Sequence, residues 1–113
     1  MTTNDDLFRT TDPRGRTVRC TEKQWSVHVL TATGDHLELT GQELAVRETV
    51  EKPQAIYRSS KVANRDVYYR TSPLYTKIYI RVVVGFRDPE GFVVTAMHSD
   101  GPEPGEVLIW PQS

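Results

Sequence analysis

The amino-acid sequence predicts an α+β domain in which two N-terminal helices pack on one face of a mostly antiparallel sheet of about four strands. Three observations predict it. Two capping-box signatures, Thr21 with Gln24 and Thr40 with Glu43, stand ahead of helical patterns in the first half. From residue 55 onward the pattern changes to short apolar runs separated by Pro, Gly, Ser and Asp. Within these runs, residues 78–84 alternate with a period of two, so that Ile78, Ile80, Val82 and Val84 share one face and Tyr79, Arg81 and Val83 the other.

Taken in order, residues 1–14 are polar, lack apolar periodicity and read as a flexible arm ahead of a single domain spanning 15–113. Residues 15–20 form a short leading strand. The first helix runs from Thr21 to about Ala32, with Trp25, His28, Val29 and Ala32 on one face, so that His28 points to the core side. The Thr33-Gly34-Asp35-His36 break places His36 in a linker. The second helix follows Thr40, presents Val46 and Val50 together with Leu39, and is stopped by Pro53. Residues 55–58 and 67–70 are short strands. Residues 78–84 and 92–97 form a hairpin closed by the loop Arg87-Asp88-Pro89-Glu90-Gly91. Placing Arg87 opposite Phe92 sets Arg81 opposite His98 and Val83 opposite Ala96, so Tyr79, Arg81 and His98 share a face. The apolar run 107–110 closes the sheet as an edge strand or folds Trp110 over the hairpin.

Composition bounds the chemistry. A chain of 113 residues is one domain and can bury a core without disulfide or metal staples. The single cysteine, Cys20, cannot form an internal disulfide, which suits a reducing compartment, and it is a weak candidate for a nucleophile. There is no apolar leader in the first 19 residues and no span near the ~20 apolar residues of a membrane helix, so the expectation is a cytoplasmic protein with no membrane partner. A glycine-rich phosphate loop and a serine-hydrolase elbow are absent, and the three histidines lack metal spacing; no cofactor or metal is expected.

The net charge of −1 hides an uneven distribution. Residues 53–81 hold six basic residues against the single acid Asp66, together with all five tyrosines. Cations interleaved with aromatic rings suit a polyanion that also offers flat faces for stacking, which describes single-stranded RNA. The candidate contacts are Arg58, Lys61, Arg65, Tyr69, Arg70, Tyr79 and His98. The alternative is an ordinary half-exposed sheet, in which Tyr, Arg and Lys are all common.

The landmarks also come in a characteristic order: Gly15-Arg16-Thr17-Val18, Trp25-x-x-His28, His36-x-Glu38, Thr49-x-x-x-Pro53-x-x-Ile56, Tyr68-Tyr69-Arg70, Val82-Val83-Val84, Val94-Thr95-Ala96 and Gly105-Glu106-x-x-x-Trp110. This order resembles the phage and prophage branch of the barnase-EndoU-colicin-RelE-like nuclease superfamily, over most of the chain after residue 14. Leu37 between His36 and Glu38, and Met97 at a position often aromatic, depart from the pattern. The resemblance implies the same α+β architecture, with RNA cut on the open face of the sheet. Metal-independent cleavage needs a base for the ribose 2'-OH, an acid for the leaving 5'-oxygen and cations on the phosphate. His28 and His36 stand at the motif positions for acid and base, a role that imidazole fits at neutral pH. Arg70 and Arg81 suit the phosphate through the guanidinium fork. Tyr68 and Thr95 would assist by hydrogen bonding, and a toxin-like activity would call for a neutralising antitoxin or immunity protein. The competing expectation is a non-catalytic RNA-binding or protein-interaction module.

Overall fold

The structure, a computed structural model, describes residues 6–26 and 41–111. Among them the chain forms seven strands and two short helices: β1 (Asp6–Thr11), β2 (Thr17–Thr21), α1 (Glu22–Gln24), α2 (Glu43–Glu51), β3 (Ala55–Arg58), β4 (Arg65–Thr71), β5 (Tyr79–Arg87), β6 (Glu90–Ser99) and β7 (Val107–Trp110). All seven strands lie in one sheet of order β1-β2-β6-β5-β4-β3-β7. Every pairing is antiparallel except β2 with β6, which is parallel.

This architecture corrects the expected one. The protein is mostly sheet, not two helices on four strands, and the antiparallel run β6-β5-β4-β3 is only the middle of a larger mixed sheet. Residues 6–11, expected in a loose arm, are an edge strand: Phe8 and Thr10 turn inward and are buried while Arg9 faces out. The first helix is seen only as a short turn. Its cap is the expected one, since Gln24 N–H donates to Thr21 Oγ1 at 3.0 Å, but the rest of the expected span, with His28, Val29 and Ala32, falls outside the described residues. The second helix begins at Glu43 after Gln42, which supplies no side-chain cap, and Leu39 and Thr40 also lie outside the described residues. No helix among the described residues is long and apolar enough to cross a membrane.

The two faces of the sheet differ in what covers them. On the first, α2 sets Val46 and Val50 against Ile56, Tyr68, Ile80, Val82 and Val84. Full burial of each of those two valines contributes about 1.5–3 kcal/mol, and both have no exposed surface. Trp25 and Cys20 join the same core. The second face has a small cluster of Val67, Tyr69 and Val83, with Tyr57, Tyr79 and Val94 partly buried around it. It is bordered by the segment 101–106, which leads into β7.

The β5–β6 hairpin shows how the faces are assigned. Arg87 pairs with Glu90, so only Asp88 and Pro89 form the turn. The register then shifts between Val83 and Val84, leaving Val94 as an extra residue in β6; beyond this bulge Arg81 pairs with Met97 and Val83 with Thr95. The expected pairing of Arg81 with His98 is therefore one residue off. His98 pairs with Ile80 and lies on the face opposite Arg81, because side chains alternate along a strand.

Candidate nucleic-acid interface

The second sheet face gathers the aromatic and charged residues. Period-two alternation and the β3–β4–β5 register put Tyr57, Tyr69, Tyr79, Arg65, Arg81 and Thr95 on it. Tyr69 is the hub. Its ring meets Tyr57 at 5.5 Å between centroids and 88°, and Tyr79 at 6.4 Å and 90°, both edge-to-face arrangements that aromatic quadrupoles favour. Around these rings lies a cleft of about 420 Å³, bordered by Gln54 and Pro102.

Beneath the tyrosines sits a knot of charge. Arg81 places Nη2 2.7 Å from Glu106 Oε2 and 3.3 Å from Glu103 Oε1, while its Nε–H donates to the Tyr69 hydroxyl at 3.0 Å. Tyr69 in turn donates to Glu106 Oε1 at 2.6 Å. Burial pushes the Glu106 carboxyl up, but the hydrogen bonds from Tyr69 and Arg81 outweigh it and hold the group below the usual carboxylate range. Burial and the bond to Glu106 move the Tyr69 phenol the other way, upward, so it stays protonated. Glu106 is thus an anion fastened to Arg81, and the segment carrying it is tied across the sheet face.

At the far end of the same face a second cleft, of about 570 Å³, is lined by Arg65, Gly85, Arg87, Phe92 and Val94, with Gln24 at its border. Gln24 donates its side-chain amide to the carbonyl of the bulge residue Val94 at 2.7 Å, so the backbone oxygen freed by the bulge anchors the chain just before the stretch that holds His28 and His36. Arg65 and Arg87 take no part in an ion pair among the described residues. Among the described residues they are the cations of this face without an ion pair.

The remaining expected site residues lie elsewhere. Tyr68 is fully buried under α2, where its hydroxyl donates to Asp12 Oδ2 at 2.6 Å. Asp12 also accepts from the Arg14 and Arg16 backbone N–H groups at 2.9 Å and from the Arg14 guanidinium at 2.8 Å. Burial raises the Asp12 carboxyl, and the bonds from Tyr68, Arg16 and Arg14 together bring it below its ordinary value. This is an anchor for the β1–β2 turn, not a reactive group. Arg58 leans on buried Asp66 at 3.4 Å, Arg70 donates to the Lys52 carbonyl at 2.7 Å, and Lys61 is exposed in the β3–β4 loop. His98 packs edge-on against Tyr75 at 5.4 Å. Burial, then Asp6, pushes the Cys20 thiol up to about 12, which removes it as a nucleophile at neutral pH. Among the described residues no three His, Cys, Asp or Glu side chains converge on a point that would hold a metal ion. His28 and His36 lie outside the described residues.

No family model, curated protein or solved structure matches the chain.

Sequence reasoning missed Glu106, Glu103, Arg87 and Asp12. For Asp12 a signal was present: Asp-Pro-Arg-Gly is turn chemistry, with the Asp carboxylate accepting from the backbone two residues on. For Glu106 the only signal was its place in the Gly105-Glu106 landmark, since its pairing with Arg81 is a long-range contact.

Proposed function

We propose that this chain acts on RNA as a metal-independent endoribonuclease that takes its substrate across the sheet face bearing Tyr57, Tyr69 and Tyr79. The observation that carries the reading is that one face combines a tyrosine-lined cleft at one end with Arg65 and Arg87, unpaired among the described residues, beside a second cleft at the other. Rings that stack on bases and cations that meet phosphates are the two elements of single-strand binding. Thr95 lies between the clefts, opposite Val83. The cleavage step rests on the resemblance, with His28 and His36 as acid and base.

Arg81 does not stand as a free phosphate cation in this proposal, because Glu106 and Glu103 already engage it. That same observation favours a second reading, RNA binding without cleavage. The two separate cleanly. End-labelled RNA is incubated in EDTA with the protein and with His28→Ala and His36→Ala, and binding is measured in parallel. The ribonuclease reading expects cutting by the parent protein, lost in at least one variant with binding retained. Binding without cutting at any enzyme concentration leaves the second reading standing. Neither binding nor cutting sinks both.

A further inference from the structure

We infer that the tyrosine cleft is a slot for a single unstacked nucleobase, with the Gln54 side-chain amide reading the edge of that base; the inference rests on the RNA reading above. The cleft of about 420 Å³ falls in the size range of small-ligand sites. Its construction is specific. Tyr69 is the floor, 2% exposed, with its hydroxyl locked by Glu106 and Arg81 so that the ring cannot swing. Tyr57 and Tyr79 stand edge-on to it from neighbouring strands and are only partly buried, which leaves ring surface to the cleft. Ala55 faces Tyr69 across the β3–β4 ladder, and its single methyl keeps open a space that a larger residue would fill.

The polar group of the slot is oriented by its own neighbours. Gln54 Oε1 accepts from the Thr71 backbone N–H at 3.0 Å and from Thr71 Oγ1 at 2.8 Å. A backbone N–H only donates, so the atom facing it is the amide oxygen, and the amide orientation follows from chemistry. The Nε2 group is then the donor left for the cleft, without a partner among the described residues. Aromatic walls with one fixed amide donor match a nucleobase, which has two flat faces and acceptor atoms on its edge. A phosphate would find no cation among these residues.

The experiment uses a nine-nucleotide oligouridine with 2'-O-methyl riboses, which cannot be cut, and an abasic strand of the same length and backbone. The parent protein should bind the oligouridine more tightly than the abasic strand. Tyr79→Ala and Tyr57→Ala should each weaken oligouridine binding about ten-fold while leaving the abasic strand unchanged, and Tyr79→Phe, which keeps the ring, should bind like the parent. Gln54→Leu, an exposed change that preserves the sheet, should alter the ranking of oligouridine against oligoadenosine. Equal affinity of the parent for oligouridine and abasic strand, or undiminished binding by both alanine variants, overturns the slot while the RNA reading survives. No affinity of the parent for either strand overturns both.

Discussion

At Arg81 one guanidinium meets the carboxylates of Glu106 and Glu103 and the hydroxyl of Tyr69, with its side chain 11% and that of Glu106 5% exposed. Removing Glu106 leaves the largely buried guanidinium with only the half-exposed Glu103 at 3.3 Å and the Tyr69 hydroxyl, a loss that approaches the about 3–5 kcal/mol of breaking a buried ion pair. Glu106→Ala should therefore lower the urea midpoint strongly with little change in m-value. The pH dependence has a definite sign. The Glu106 carboxyl is held below its ordinary value of 4.5 in the folded protein, so the unfolded chain takes up the proton first as pH falls. Its stabilisation is complete at neutral pH and drains away as pH drops through about 4.5 and then through the folded value. The stability gap between parent and Glu106→Gln should accordingly be widest near pH 7 and narrow between pH 5 and pH 3. A gap that stays constant over that range would show that the carboxylate charge is not what ties the 101–106 segment down.

At the level of elements, the β5–β6 hairpin sets the geometry of the whole face, and Gly91 is its tightest point. A methyl group there would lie 2.6 Å from Phe86 Cε1 and 2.8 Å from Val84 Cγ1. Val84 is fully buried in the core and Phe86 packs against it, and Gly91 itself is held between Val18 of β2 and Phe86 of β5, which limits how far the backbone can yield. Gly91→Ala should cost about 1–3 kcal/mol by overpacking, seen as a fall in Tm, whereas Gly15→Ala, where the added carbon has open space but φ is +87°, should act only through backbone strain. The same hairpin shows how far the sequence could be read. Its first strand and the aliphatic face follow from period two, while its second strand, β3 and β7 follow from short apolar runs, whose bounds agree with the strands for β3 and β7. What escaped was the register: a two-residue turn where five residues suggested a loop, and a bulge at Val94 that no local residue preference announces. The shorter turn shifts the register by two and keeps the face, so it is the one-residue bulge that moved His98 to the other face. β1 escaped because an edge strand with one wet side needs only Phe8 and Thr10 to face inward, too few positions for a periodic signal. The parallel β2–β6 pairing is a tertiary choice. Of the site, Tyr79 and Arg81 on one face were legible from alternation along one strand; Tyr68 was not, because its burial comes from long-range contacts, α2 over its ring and the β1–β2 turn at its hydroxyl.

Across the whole molecule, the net charge of −1 means that RNA gains nothing from long-range attraction to the protein as a body, so any electrostatic binding must come from the cations that face the strand. On the tyrosine face the counting is short. Arg81 is neutralised by Glu106 and Glu103, while Arg65 and Arg87 make no ion pair among the described residues. Single strands release counterions with a slope of about −0.7 per phosphate neutralised. Two such contacts predict that the logarithm of the binding constant falls against the logarithm of salt concentration with a slope of about −1.4. Arg65→Gln and Arg87→Gln should each reduce the steepness by about 0.7, and the double variant should bind with almost no salt dependence, through the tyrosines alone. Arg58→Gln is the control: Arg58 is on the α2 side of the sheet and paired with Asp66, so its loss should leave the slope unchanged. A parent slope of about −3 or steeper, unaffected by the Arg65 and Arg87 changes, would put the phosphates on the opposite side of the sheet, where Arg58 and Arg70 lie, and the strand would then run over the α2 face.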